Sequence, residues 1–183
     1  VVDLFVEQVI RTPKAIAIEY QDKKITYEEF DLLTNQFANY LLDNGVKRGD
    51  NVPLVLERNE KMAIAIWGVL KAGCAYVPIS PEFPEERKNY ILNQLNCKLV
   101  VTQSFEGFLT GNQSSIKIRP TLNELAYIIF TSETTGKPKG VMIEHAGLSN
   151  RIQWMNETYP IGKEDKIYQK TNYVFDVSVW EQI

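Results

Sequence analysis

Residues 51–80 read NVPLVLERNEKMAIAIWGVLKAGCAYVPIS and contain a complete strand, helix and strand. The segment begins with an apolar run typical of a buried strand and ends with another at 74–80. Between them, 59–73 predicts a helix with Asn59 at its N-cap and Gly73 just past its end. Such a unit with short connections predicts parallel strands joined by a crossover helix.

The same alternation continues upstream. Apolar residues at helical spacing up to Ile10 predict a first helix, and 15–20 and 25–27 predict two strands around a turn. Thr26 and Glu29 form a capping-box pattern for a helix that ends at Gly45.

Downstream of residue 80 the rhythm is interrupted once, at 103–121, where Gly, Ser and Asn predict a loop or a weak hairpin. The other predicted elements are a helix within 81–96, strands at 98–103, 124–132, 140–145 and 166–171, a helix at 146–159 and a helix start at 175–183. The sequence therefore predicts an α/β fold of layered, parallel-rich sheets with crossover helices.

The charge, the apolar stretches and the cysteines of the chain exclude several classes of partner and site. The 183 residues carry 20 Lys+Arg and 23 Asp+Glu without a basic stripe, so nucleic acid and anionic membranes are not expected partners. No apolar stretch approaches the roughly 20 residues that a membrane span needs. Cys74 and Cys97 lie in apolar runs without a neighbouring Cys or His, so we expect reduced core residues, no metal site and a cytoplasmic setting.

Thr131–Gly140, TSETTGKPKG, lies between two predicted strands and concentrates the chemistry of the chain. Four hydroxyls, two glycines and two lysines fall within these ten residues. Hydroxyls and backbone N–H groups in a glycine-containing turn can surround phosphate oxygens, and lysines add positive charge. The segment lacks the P-loop pattern, because Thr131 stands at the first glycine position and Pro138 follows the lysine. It predicts a polyphosphate site, the alternative being a solvated polar turn.

Four segments resemble, in order, the first four core motifs of amino-acid adenylation domains of nonribosomal peptide synthetases, within the adenylate-forming superfamily. They are ITYEEF at 25–30, LKAGCAYVPIS at 70–80, LAYIIFTSETTGKPKG at 125–140 and FDVS at 175–178. The resemblance implies that 1–183 is the N-terminal portion of the large lobe of such a domain.

The implied reaction joins an amino acid to ATP with Mg²⁺, giving an aminoacyl adenylate that is then loaded onto the phosphopantetheine thiol of a carrier protein. The resemblance places the ATP phosphates against the loop residues Thr131, Ser132, Thr134, Thr135, Gly136, Lys137 and Lys139. It assigns no certain catalytic residue within this segment. The remainder of the adenylation domain is then an expected partner.

The resemblance also assigns the substrate residues. Asp176 matches the aspartate that pairs with the substrate ammonium, and its neighbours predict a mostly apolar site in which a cation would offset the cost of burying a carboxylate. The alternative for Asp176 is a helix N-cap. Val177 and Trp180 are implied to line the side-chain pocket. The order Asp, Val, Trp is similar to that of some serine-activating domains. The alternative for Trp180 is an ordinary core aromatic.

Two departures from the family pattern bear on activity. Glu133 replaces a glycine of the loop, which removes backbone freedom and puts a negative charge beside a polyanion. Repulsion at about 4 Å amounts to roughly 1–4 kcal/mol, so we expect Glu133 to weaken nucleotide binding. The alternatives are that its carboxylate turns outward or helps to hold Mg²⁺. The stretch from Thr102 to Leu125 is also short, and everything after the fourth motif is absent, so the chain alone is not expected to complete the adenylation cycle.

Two alternative functions stay open at this point. One is another adenylate-forming ligase, which joins D-alanine or an aryl acid to a carrier protein. The other is a noncatalytic adenylation-like half that docks a partner. The single histidine, His145, is expected to be structural at a strand-to-helix junction.

Overall fold

A computed structural model describes residues 1–103, 111–131 and 137–183 and confirms the alternation of strands and helices. The helices are α1 (Val2–Arg11), α2 (Tyr27–Asp43), α3 (Glu60–Lys71), α4 (Glu85–Gln94), α5 (His145–Thr158) and α6 (Val179–Gln182). The strands are β1 (Ile16–Tyr20), β2 (Lys23–Thr26), β3 (Asn51–Val55), β4 (Ala75–Ile79), β5 (Val101–Thr102), β6 (Leu125–Thr131) and β7 (Lys139–Glu144).

The predicted helix signals form as the sequence indicates. Thr26 Oγ1 accepts from the N–H of Glu29, whose carboxylate accepts from the N–H of Thr26, so the capping box of α2 is complete. Asn59 caps α3 by accepting from the first two N–H groups that follow Glu60. Gly73 has φ of 72°, which suits a glycine after a helix end.

Five strands form the main sheet in the order β5–β3–β4–β6–β7. The first four run parallel and β7 is antiparallel to β6. The chain moves one way from β3 to β4 and the opposite way from β4 to β5. Right-handed crossovers therefore place α3 and α4 on opposite faces of the sheet.

The two faces have separate apolar cores. The larger core joins Leu41 of α2 and Leu70 of α3 to Leu54 of β3, and the smaller joins Ile91 of α4 to Ile79 of β4. Burial on both faces explains why the strands read as continuous apolar runs rather than alternating ones.

Some sequence predictions are wrong or incomplete. No strand forms at 166–171, because a strand needs a pairing partner and this exposed segment has none among the described residues. Of the two alternatives predicted for 103–121, the described residues 111–120 form a loop and no hairpin. Cys74 is buried as expected, whereas Cys97 is only half-buried, and both are free thiols. Burial raises the pKa of Cys74 to about 11.

None of the helices in residues 1–103, 111–131 and 137–183 has the length and apolar character needed to cross a bilayer.

Candidate active site

The predicted phosphate loop connects the two strands of an antiparallel hairpin. Thr131, the last residue of β6, pairs with Lys139, the first of β7, and its hydroxyl donates to the Lys139 carbonyl at 3.5 Å. Thr131, Lys137 and Lys139 are exposed. The other predicted loop residues, Ser132, Thr134, Thr135 and Gly136, lie outside the described residues, as does Glu133. The hairpin ladder therefore fixes both ends of the loop.

Gly140 completes the motif for a packing reason. A Cβ atom on Gly140 would lie 2.9 Å from Ile128 Cγ2 and 3.1 Å from Phe130 Cζ. The missing side chain lets two residues of β6 lie across the start of β7. Gly140 therefore keeps Lys139 close against the sheet, although by sequence it belongs to the phosphate-loop motif.

Asp176 begins a 3₁₀ turn, Asp176–Ser178, that leads into α6. Its side chain is exposed, so the expected apolar surroundings are not present among the described residues. The turn places Asp176 on its outer side, while Ser178 faces inward and is buried. The alternative of an N-cap is not formed either, because Phe175 is at that position and Asp176 Oδ1 accepts from the N–H of Val177 at 2.9 Å.

The two other predicted pocket residues differ in burial. Val177 is 54% exposed, and Trp180 of α6 is partly buried. Phe175 beside them is 60% exposed. The turn thus presents an acid together with apolar side chains on one exposed surface.

Strand β6 relates the position of this turn to that of the loop. Tyr127 and Thr131 lie on one face of β6, since side chains alternate, and four residues of strand span about 13 Å. The pKa of Tyr127 is raised by burial and by the Asp176 carboxylate, against an opposing effect of Arg151. Asp176 is therefore within electrostatic range of Tyr127, which lies four residues along β6 from Thr131, where the loop begins.

Sequence reasoning missed the residue that fixes this turn to the sheet. The Tyr173 hydroxyl accepts from the N–H of Leu56 at 3.0 Å and lies 3.0 and 2.9 Å from the carbonyls of Leu54 and Ile79. Burial raises the pKa of Tyr173 to about 12. Its single proton is thus shared between the carboxyl ends of β3 and β4. The sequence offered one weak signal for this contact, a tyrosine three residues before Asp176.

His145 lies where it was expected, at the junction of β7 and α5. It is 2% exposed, and its Nε2 has no hydrogen-bond partner among the described residues. Burial, with a smaller contribution from the N-terminal amino group, lowers its pKa to about 4. The ring is therefore neutral at pH 7.

Side chains of the described ranges form no metal centre of their own. Within 1–103, 111–131 and 137–183, no group of three or more His, Cys, Asp or Glu residues is arranged to hold a metal ion.

The chain matches the AMP-binding enzyme family over residues 5–122 and 110–183, and it belongs to that family. Within the family it corresponds to the N-terminal portion of a nonribosomal peptide synthetase adenylation domain. It is 42% identical to zwittermicin A synthase ZmaJ of Bacillus cereus, over 97% of the chain and 37% of that protein. It is also 40% identical to gramicidin S synthase 2 of Brevibacillus brevis, over 95% of the chain and 4% of that protein.

Solved structures agree with this assignment. The nonribosomal peptide synthetase FmoA3 in its AMPPNP-bound form superposes with a TM-score of 0.92 at 28% identity, over 99% of the chain and 21% of that chain. The N-terminal subdomain of Klebsiella oxytoca NpsA, in complex with 3-hydroxyanthranilyl-AMSN, gives 0.87 at 25% identity, over 98% and 49%. The chain thus spans less than two thirds of each of these relatives, and the predicted fold class is confirmed.

Proposed function

We propose that this chain supplies the phosphate loop and the ammonium-binding acid of an enzyme that activates an amino acid as its adenylate. The substrates are ATP, carried with Mg²⁺, and an amino acid, and the product is loaded onto the phosphopantetheine thiol of a carrier protein. Residues 1–183 form part of the adenylation domain, and the remainder of that domain is the partner needed for turnover.

The observation that carries the proposal is that both chemical features lie near strand β6, the loop at its end and the Asp176 turn within electrostatic range of Tyr127. The hairpin that carries the loop closes at Thr131, and the Asp176 carboxylate is close enough to raise the pKa of Tyr127, which lies four residues, about 13 Å, from Thr131 along β6. A triphosphate on the loop and an ammonium group on Asp176 then bracket the region in which carboxylate and α-phosphate must meet.

The loop residues act on ATP through position and charge. Lys137 and Lys139 offset negative charge on the β- and γ-phosphates, while the hydroxyls of Thr131, Ser132, Thr134 and Thr135 and the backbone at Gly136 donate to phosphate oxygens. Donors fixed in advance stabilise the charge that moves to pyrophosphate when the carboxylate attacks the α-phosphorus. Mg²⁺ enters with the triphosphate and spreads that charge further.

Asp176 makes no ion pair within the described residues, so its carboxylate is open to a cationic ligand. An exposed ion pair contributes only about 0–1 kcal/mol, and the interaction strengthens when substrate and the rest of the domain exclude water. Val177 and Trp180 would then contact the substrate side chain. FmoA3 has been solved with α-methyl-L-serine-AMP, which supports serine as the first substrate to test.

The first experiment is calorimetric titration of Mg-ATP into this chain and into its Glu133→Gly variant. We expect the variant to bind about tenfold more tightly, because a charge beside the phosphates is removed and glycine freedom is restored. Glu164→Gly, which removes the same charge from an exposed turn elsewhere, is the control and should not change binding.

The second experiment measures amino-acid-dependent pyrophosphate exchange by the chain together with the rest of the adenylation domain. L-Serine and the other amino acids are compared with D-alanine and with aryl acids. Exchange with an α-amino acid that is lost in Asp176→Asn supports the proposal. Exchange with aryl acids alone, or with no acid, contradicts it.

A further inference from the structure

The segment that carries Asp176 is closed at its base by one side chain. Glu181 Oε2 accepts from the N–H of Thr171 at 3.0 Å, and Glu181 Oε1 accepts from the Thr171 hydroxyl at 2.7 Å. Each carboxylate oxygen thus binds a different donor of the same residue. These two hydrogen bonds, called here the Thr171–Glu181 brace, join the start of the segment to α6.

Two further contacts attach the segment to the body of the fold. Tyr173 reaches the carboxyl ends of β3 and β4 with its hydroxyl, and Trp67 Nε1 donates to the carbonyl of Gln182 at 3.1 Å. Trp67 lies in the aromatic cluster with Phe5 and Phe30. The segment is therefore held at its start, middle and end.

The turn itself is rigidified from inside. Ser178 Oγ donates to the Phe175 carbonyl at 2.7 Å, and the N–H of Ser178 donates to the same oxygen at 3.0 Å. Ser178 is 1% exposed, while Asp176 and Val177 on the outer side are exposed. Ser178 therefore faces the protein, and the two predicted substrate contacts, Asp176 and Val177, face outward.

We propose that Thr171 and Glu181 are positioning residues for the amino-acid site, because their brace sets the conformation in which the turn presents Asp176 to the substrate ammonium. This inference rests on the proposed function. Neither residue contacts substrate. Each acts through the backbone of the turn, so that binding does not have to order the segment first.

Glu181→Met separates the brace from packing, because methionine has a similar size but no oxygen that can accept. Thr171→Val removes the hydroxyl alone, and Thr171→Ser keeps it. Glu157→Met is the matched control, since Glu157 accepts one hydrogen bond from Gln153 on the exposed surface of α5.

The first readout is hydrogen exchange in this chain. Backbone amides at 174–178 should exchange about tenfold faster in Glu181→Met and Thr171→Val than in the unchanged chain, Thr171→Ser or Glu157→Met. Amides of α2 should be unaffected. Unchanged exchange at 174–178 overturns the brace as a positioning device, whether or not the protein is active.

The second readout is pyrophosphate exchange by the chain with the rest of the adenylation domain. The two brace variants should raise KM for the amino acid about tenfold and leave KM for ATP unchanged, whereas Thr171→Ser should keep both values normal. An unchanged KM for the amino acid despite faster amide exchange overturns the positioning role alone. Absence of exchange in the unmodified protein with every amino acid overturns the proposed function and this inference together.

Discussion

Replacing Tyr173 by Phe tests the link between the acidic turn and the sheet with the removal of one oxygen atom. The Tyr173 ring is 3% exposed and Leu56 is fully buried, so water does not reach the gap easily. The variant leaves the N–H of Leu56 without its acceptor, which costs about 1–3 kcal/mol, and removes a donated hydrogen bond that contributes about 1 kcal/mol. We therefore expect the free energy of unfolding to fall by about 2–4 kcal/mol.

Urea unfolding at pH 7, followed by tryptophan fluorescence, measures this change. With an m-value of about 2 kcal/mol/M, the unfolding midpoint should fall by about 1–2 M at unchanged m. Tyr168→Phe is the control, because Tyr168 is 81% exposed and the same oxygen is lost to solvent there. A loss below about 0.5 kcal/mol for Tyr173→Phe would refute the argument that this hydroxyl satisfies Leu56.

Two further predictions concern His145 and Gly140. The folded chain keeps His145 neutral down to about pH 4, whereas the unfolded chain takes up a proton near pH 6.5. The free energy of unfolding should therefore fall by about 2–3 kcal/mol as the pH drops from 7 to 4. Urea titrations at each pH should show a smaller fall in the His145→Gln variant. Gly140→Ala should lower the free energy of unfolding by about 1–3 kcal/mol in thermal denaturation, because its Cβ would lie 2.9 Å from Ile128 Cγ2. Gly147→Ala is the control and should not lower it, because the nearest atom there is 3.6 Å away. Equal effects of the two variants would contradict the packing argument.

Local signals predicted much of the fold because they need no partner far along the chain. The capping box at Thr26, the cap at Asn59 and the glycine at Gly73 act within a few residues, and all three form as expected. The segment 166–171 shows the limit of such reasoning. Its apolar and polar alternation resembles a strand, but strand formation depends on a neighbouring edge that local sequence does not reveal.

The candidate site likewise contains features that local sequence predicts and contacts that it does not reveal. The sequence predicts which residues carry chemistry, since hydroxyls, glycines and lysines cluster at Thr131–Gly140 and an acid stands at Asp176, and those roles stay a prediction. It did not reveal Tyr173 or the pairing of Thr171 with Glu181, because those contacts depend on the path of the chain after α5. The expected apolar surroundings of Asp176 do not form among the described residues, because the 3₁₀ turn leaves Asp176 on its exposed outer side and directs Ser178 inward.

The hydroxyl contacts of Tyr173 have a kinetic consequence. Tyr173 is 117 positions along the chain from Leu56 and 94 positions from Ile79. Strands β3 and β4, by contrast, are connected through α3 within a single short unit. Closing the longer loops carries the larger entropic penalty, so the strands should associate well before Tyr173 docks. The tyrosine then has little effect on the rate of folding and slows unfolding, which makes it a latch that governs the lifetime of the folded sheet.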